Sequence, residues 1–200
     1  MDITFTNVDH AHHATQLARF GERAFEENGP AQLAYHTFPS PIGALLAAVT
    51  RQGLVRICFE SEDPEDVLSH LSARVSPAII ELPSALVGVR RQLDAYFAGS
   101  LRCFDLPLDR RLFSPFQTKV LAATSAIPPG EVKSYGQIAA LAGRPGGAQA
   151  TGQALGANPI PVVVPCHRVV AADGSLRGYG GGLERKQFLL DLERGEQSLF

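Results

Sequence analysis

The sequence predicts an α+β protein: a small antiparallel sheet with helices in its first half, and a helical second half that holds a helix-turn-helix and presents a cysteine. Three observations lead there. From about residue 34, short alternating or apolar runs (AYHTF, GALLAAV, GLVRICFE) are bounded by Pro and Gly, as in an antiparallel meander. From residue 113 onward, apolar residues recur instead at helical spacing. Between 158 and 170, Pro159, Pro161 and Pro165 break that pattern immediately around Cys166.

Taken in order, residues 13–28 (HATQLARFGERAFEEN) read as a polar helix in an N-terminal extension covering 1–30. After the meander comes a helix over about 63–75 and a short strand at 78–82. A second helix over about 84–98 carries Leu86, Val89, Leu93 and Tyr96 on one face and closes at Gly99. The stretch LRCFDLPLDRR reads as a connector, so the domains are expected at 31–110 and 111–200. In the second of these, Phe113, Phe116, Val120, Ala123 and Ile127 form an amphipathic stripe stopped by Pro128-Pro129-Gly130.

Ser134 and Gln137 have the spacing of a capping box, which predicts a helix over about 135–142. After the turn RPGG, a third helix over 147–157 is rich in small side chains, and the pair reads as a helix-turn-helix. Ala148, Ala150, Thr151, Gly152 and Ala154 would let this helix lie close to another surface, either a neighbouring helix or a nucleic-acid groove. The prolines and Val162, Val163 and Val164 that follow predict an extended, buried segment ending at Cys166, with His167 and Arg168 directly behind it. A cysteine attacks as thiolate, and a neighbouring base or cation lowers its pKa from about 8.5 toward roughly 3.5–7.5. On an extended chain consecutive side chains point opposite ways, so a bridging water between Cys166 and His167 is plausible.

Bulk composition narrows the function classes. The chain has 200 residues, 45% hydrophobic, enough for one large domain or two small ones. It contains no run of about 18 apolar residues and opens without the pattern of a secretory signal, so a cytoplasmic protein is expected. Cys58, Cys103 and Cys166 are far apart and form no CxxC pair, which predicts free thiols. His10, His12 and His13 lack partnering cysteines and read as a solvated segment; no metal and no cofactor are expected. The net charge of −2 hides an asymmetry: residues 1–110 hold 9 Lys+Arg against 14 Asp+Glu, and residues 111–200 hold 9 against 6. A phosphate partner belongs to the second half.

The string PCHRVV, preceded by GANPIP and followed by GYGGGLERKQFLL, closely resembles the signature of the O6-alkylguanine-DNA alkyltransferases, also called methylated-DNA–protein-cysteine methyltransferases. The resemblance runs upstream through FQTKVL and IPPGEVKSYGQIAALAG and covers 112–194; SPIG near residue 40 and QLDAYFAG near 92 extend it more loosely. It implies a ribonuclease-H-like first domain and a winged-helix-like second one. It implies a DNA-repair protein that moves an alkyl group from O6-alkylguanine, and from O4-alkylthymine, irreversibly onto Cys166 after base flipping, acting as a monomer on double-stranded DNA. Such an acceptor turns over once.

By the same resemblance, His167 is the base acting through a water, Glu193 orients it, and Tyr135 donates to the departing base. Tyr179, Gly180, Gly181 and Val169 line the base pocket, and Asn158 bridges the recognition helix to it. Gln149, Ala148, Ala150, Thr151, Gly152 and Arg168 fall on the DNA side. One position departs from the pattern: the family's intercalating arginine is Gln149 here, which lacks the charge and planar fork. The zinc ligands of some relatives' first domain are also not evident. Two alternatives stay open from the sequence, a lesion marker with little transfer and a cysteine acceptor for a small alkylating metabolite.

Overall fold

The computed structural model describes residues 24–26, 29 and 32–195. The His10, His12 and His13 cluster and most of the helix expected over 13–28 lie outside the described residues. Where the extension is described, Phe25 packs on the main core, and Arg51 Nη2 donates to the carbonyls of Glu26 (2.6 Å) and Gly29 (2.8 Å).

Strands β1 (Leu33–Phe38), β2 (Leu45–Thr50) and β3 (Gly53–Phe59) form the expected antiparallel meander. The fourth strand, β4 (Ile79–Glu81), pairs parallel with β1, so the sheet is mixed, in the order β3-β2-β1-β4. The crossover helix α1 (Pro64–Arg74) returns the chain in the right direction for that parallel pairing. Its start is fixed by Asp63, whose side chain accepts from Glu65 N, and by Pro64 in the first turn.

Every residue of β2 is buried, because the sheet is covered on both faces. Leu46 and Ala48 face a cluster with Val67 and Leu71 of α1, while Leu45, Ala47 and Val49 face the main core. Helix α2 (Val87–Phe97) lines that core with Val89, Leu93 and Tyr96, and a single 3-10 turn, Pro83–Leu86, precedes it.

Strand β3 is an edge, and the second half of the chain docks against it. The register of β2 with β3 shifts at Ala48/Val49, which leaves Val55 as an extra residue. This bulge puts Leu54 and Ile57 on the same face despite their odd spacing. Leu54 exchanges bonds with the connector, donating to Pro107 O (2.8 Å) and accepting from Asp109 N (2.9 Å). Ile57 N donates to Pro159 O (2.9 Å), beside the cysteine segment. Asp109 is buried against Thr50 Oγ1 (2.6 Å) and Arg111 Nε (2.8 Å), which locks the connector down.

Helix α3 (Pro115–Ser125) is shorter than its apolar stripe, since Phe113 precedes the Ser114 cap and Ile127 follows the last turn. Gln117 completes the capping box at Ser114 and sends its amide to the carbonyls of Ala154 (3.0 Å) and Ala157 (2.8 Å). One side chain thereby joins the start of α3 to the end of α5 (Ala148–Gly156), the second helix of the helix-turn-helix. The first, α4 (Tyr135–Leu141), starts with the predicted capping box of Ser134 and Gln137. Strands β5 (Lys133–Ser134) and β6 (Val169–Val170) pair in parallel and bring Tyr135 next to the segment after Cys166. Helix α6 (Leu183–Arg194) closes the chain.

The docking on β3 requires a glycine. Gly53 has φ +135°, and a Cβ there would stand 2.1 Å from Pro107 O. Gly53→Ala is expected to destabilise the protein by at least about 1–3 kcal/mol through strain and loss of the connector pairing. Urea denaturation of both proteins measures it, and equal midpoints would show that the connector does not need this close approach.

Candidate active site

Cys166 does not end an extended segment, as its sequence predicts; it opens a 3-10 turn, Cys166–Arg168, after a compact loop. The loop is held by Asn158, whose Oδ1 accepts from Ile160 N (3.1 Å) and whose Nδ2 donates to Val164 O (2.9 Å). Val164 N donates to Ile160 O (2.9 Å) and Cys166 N to Val164 O (2.8 Å), so the prolines shape tight turns rather than a strand. Val162 takes φ +71°, a costly conformation for a β-branched residue that only a constrained loop retains.

Asn158 Nδ2 also donates to the Cys166 sulfur at 3.2 Å. That bond stabilises a thiolate, as does the ammonium of Lys186. Burial nonetheless dominates and pushes the Cys166 thiol above its ordinary value, contrary to the lowered value expected from its neighbours in sequence. The resting sulfur therefore holds its proton and needs a base. Cys58 is further from reactivity: burial, with Glu62 nearby, pushes it up to about 11.

His167 is fully buried, and its Nε2 donates to Glu193 Oε1 at 2.9 Å. A carboxylate accepts only, so the proton sits on Nε2 and leaves Nδ1 as the basic nitrogen. Nδ1 is buried with no protein partner. Burial lowers the His167 pKa, against the upward pull of Glu193, so the ring is neutral near pH 7.

Glu193 gathers four donor groups. Tyr96 Oη (2.8 Å), His167 Nε2 and Arg168 Nη2 (2.8 Å) share Oε1, while Arg168 Nε (2.8 Å) and Gly130 N (3.3 Å) share Oε2. Burial works against the charge, but the bonds from His167 and Arg168 outweigh it and hold the carboxyl far below the usual carboxylate range. Arg168, expected to reach DNA, is thus buried; its Nη1 also donates to Ile127 O (2.5 Å). A bidentate partner inside the fold takes the guanidinium that the sequence assigned to the surface.

Lys186 is buried on the face of α6 that also carries Leu189, Leu190 and Glu193. Its Nζ donates to Val169 O (2.6 Å) and Arg177 O (2.9 Å) and lies 5.7 Å from the Tyr135 ring centroid. Tyr135 Oη donates to Arg177 O (2.8 Å), and burial, then the nearby Cys166, raises its pKa. Val169 is buried behind this group. The Tyr179 ring packs 5.7 Å from Phe59, and its hydroxyl is buried without a protein partner. Gly181 is required here, since a Cβ would meet the Phe59 ring at 2.8 Å. Arg185 fixes the Tyr179–Gly182 loop to the first domain through Gly181 O (2.8 Å), Ile42 O (2.6 Å) and Glu60 Oε1 (2.7 Å).

Three cavities border the loop, and the largest, about 680 Å³, lies between Gly181, Gly182 and Arg185 and Pro41, Ile42 and Glu60 of the first domain, away from Cys166. Another, about 440 Å³, lies under α5 between Tyr135, Gly152, Arg177, Tyr179 and Gly180. The third, about 390 Å³, reaches Cys166 and Asn158 from the side of the first domain. On α5, Gln149 is exposed and Ala148, Ala150 and Gly152 are half-exposed, but Thr151 is fully buried with its hydroxyl unpartnered. Thr151 and Leu155 form the inward face, so Thr151 supports the helix from within. Gln153, exposed one turn after Gln149, shares its outer face and went unremarked in the sequence.

The structure thus gathers Cys166, His167, Glu193, Asn158, Tyr135 and Tyr179 and removes Arg168 and Thr151 from the outer surface. The sequence reading missed Lys186 and Tyr96. The i, i+3/i+4, i+7 spacing of Lys186, Leu189/Leu190 and Glu193 carries a signal for the first. Among the described residues, no group of three or more His, Cys, Asp or Glu is placed to hold a metal.

A sheet domain joined to a helix-turn-helix domain, with a buried thiol and a His–Glu pair at the base of the latter, defines a class of cysteine-centred proteins built beside a DNA-reading motif. Family models agree in both halves: "6-O-methylguanine DNA methyltransferase, ribonuclease-like domain" matches residues 33–110, and the DNA binding domain of the same name matches 115–195. The methylated-DNA–protein-cysteine methyltransferase of Mycolicibacterium paratuberculosis is 47% identical over 162 residues, 81% of this chain and 93% of that protein. The protein of that name from Methanosarcina acetivorans is 40% identical over 80% of this chain and 97% of its own. The crystal structure of Mycobacterium tuberculosis OGT in complex with DNA superposes with TM-score 0.71 at 43% identity, covering 82% of this chain and 94% of that one. The chain belongs to the 6-O-methylguanine DNA methyltransferase family.

Lys186→Met removes the buried ammonium while keeping side-chain volume. Losing a positive charge beside the sulfur disfavours the thiolate, so the pH midpoint of Cys166 alkylation by iodoacetamide is expected to move upward. Mass spectrometry of the Cys166 peptide across a pH series reads it. A midpoint that stays in place would mean that Lys186 serves only its two carbonyls.

Proposed function

We propose that this protein repairs DNA by transferring the alkyl group of O6-alkylguanine, and of O4-alkylthymine, to the Cys166 sulfur, once per molecule. The observation that carries this reading is the buried thiol, followed by a neutral histidine, lining a cavity at the end of the second helix of the helix-turn-helix. The relatives named methylated-DNA–protein-cysteine methyltransferase and the crystallised DNA complex support this reading. Residues 111–200 bind DNA and accept the alkyl group, and residues 31–110 brace them. The protein works as a monomer in the cytoplasm, where its three free thiols stay reduced.

In this reading α5 lies in the groove, with Gln149 toward the duplex, and the lesion turns out into the cavity under Tyr135 and Tyr179, its O6 substituent reaching the adjoining cavity that Cys166 lines, at a cost of a few kcal/mol. His167 Nδ1 takes the thiol proton through a water, and Glu193 stabilises the imidazolium through the Nε2 bond. The sulfur then forms a bond to the alkyl carbon as the carbon–O6 bond breaks. The departing guanine receives a hydrogen bond from Tyr135, whose hydroxyl turns from Arg177 O. Asn158 Nδ2 and Lys186 hold the negative charge on sulfur until the bond forms.

Stoichiometric transfer from labelled alkyl-duplex tests the assignment. Cys166→Ala is expected to abolish it and leave duplex affinity largely intact; a mutant that still becomes labelled, on Cys58 or Cys103, would remove Cys166 from the mechanism. Binding without transfer by the wild type would favour a lesion marker, and transfer only from a free alkylated base would favour a small-molecule acceptor.

Gln149 gives a second test. An inserted arginine stacks and hydrogen-bonds in the gap left by the flipped base and adds attraction to phosphate. Gln149→Arg is therefore expected to raise the transfer rate on duplex DNA relative to single strands at matched salt. An unchanged ratio would show that another side chain, with Gln153 nearest at hand, fills the gap.

A further inference from the structure

The cavity that reaches Cys166 is not the one beneath α5. The two share Gly156, Tyr179 and Gly180, but Tyr135 and Ala148 line only the one beneath α5, and Cys166, Asn158 and Pro161 only the other. The first domain contributes Arg56, Phe59 and Glu62 to the lining of the Cys166 cavity.

The geometry of displacement gives this space a use. In an in-line attack, sulfur, alkyl carbon and O6 are nearly collinear, so any further atoms on that carbon project sideways from the line. A methyl group carries only hydrogens there and leaves the cavity, at about 390 Å³, largely unused. A longer substituent must go somewhere beside the sulfur, and the cavity is the space that borders it. Phe59, Pro161 and the Tyr179 ring offer an apolar passage for the first carbons.

The first domain also brings a polar pair to this lining. Arg56 Nη2 is paired with Glu62 Oε2, and both side chains are partly exposed, at 21% and 37%. Glu62 is itself held in place, its Oε1 accepting from Phe59 N (3.3 Å). Such a pair carries no net charge and presents a donor next to an acceptor. A hydroxyl both accepts and donates, so it satisfies the two together.

Building on the reading of Cys166 as acceptor, we propose that the Arg56–Glu62 pair, in the lining of the cavity that Cys166 also lines, selects hydroxyl-ended O6 substituents over plain alkyl ones. The first domain thereby takes part in choosing the lesion. The chemical class is a 2-hydroxyethyl or similar hydroxyalkyl adduct of guanine.

The test uses the full chain and one duplex sequence bearing O6-methyl-, O6-ethyl-, O6-(2-hydroxyethyl)- or O6-carboxymethylguanine, with single-turnover rates read from the mass of the protein adduct. Wild type is expected to favour hydroxyethyl over ethyl by about three- to tenfold, the worth of one net hydrogen bond. Glu62→Gln leaves the Arg56 charge uncompensated and should raise the carboxymethyl rate, divided by that variant's own methyl rate. Arg56→Gln leaves the Glu62 charge and should lower the same ratio. Equal ethyl and hydroxyethyl rates in wild type, which need no variant to fold, would overturn the proposal, as would carboxymethyl ratios that move together in the two variants. Failure of wild type to accept even the methyl group would instead overturn the assignment of Cys166.

Discussion

The Glu193 carboxylate is the interaction on which the rest of this molecule depends. An ionised group with its side chain almost out of water costs several kcal/mol unless donors surround it, and here Tyr96, Gly130, His167 and Arg168 do so. That requirement pulls Arg168 inward, fixes the His167 tautomer and leaves Nδ1 as the basic atom. With Arg168 as counter-ion and His167 neutral, the resting group has no net charge. A proton moved from Cys166 to His167 creates a pair of opposite charges within it, so the network tolerates proton transfer without a net change.

The same carboxylate makes the first domain part of the site. Tyr96 comes from α2, and Arg102 Nη1 donates to the Glu193 carbonyl at 3.2 Å. On the opposite side, the edge strand β3 supplies Leu54 and Ile57 to the connector and the cysteine loop, and Arg185 ties the Tyr179 loop to Ile42 and Glu60. An edge strand exposes unpaired backbone groups, and docking the second domain satisfies them. The two domains thus meet through directional bonds that fix position, in addition to a shared apolar core.

Burial also changes the meaning of the charge count. The second half has a surplus of cations, but Arg168 and Lys186 are internal and serve the cysteine site. The outer face of α5 presents Gln149 and Gln153 with no cation of its own, whereas Arg144, at the turn before it, and Arg177, on the loop beside it, are exposed. Positive charge flanks the recognition helix instead of lying on it.

Local pattern accounts for what was legible in advance. The capping boxes at Ser114 and Ser134, the stripe Leu86–Val89–Leu93–Tyr96 and the glycine and proline stops each involve residues a few positions apart, whose hydrogen bonds and shared faces follow from helix or strand geometry alone. The motif around Cys166 drew notice to Cys166 and His167 for a related reason, since the two are adjacent in the chain. The side on which each polar group lies was not legible. Tyr96 meets Glu193 across 97 positions and Gln117 meets Ala157 across 40, and no periodicity records such pairs. The resemblance placed Thr151 and Arg168 on the DNA side, but the packing of α5 on α3 and the buried Glu193 turned them in. By itself the sequence determined most of the elements and brought Cys166 and His167 forward as candidates. The tertiary structure decided which charges are internal, that the cysteine loop is a turn, and that the first domain lines the cavity beside the sulfur, because burial and pairing depend on chain segments that only the folded protein brings together.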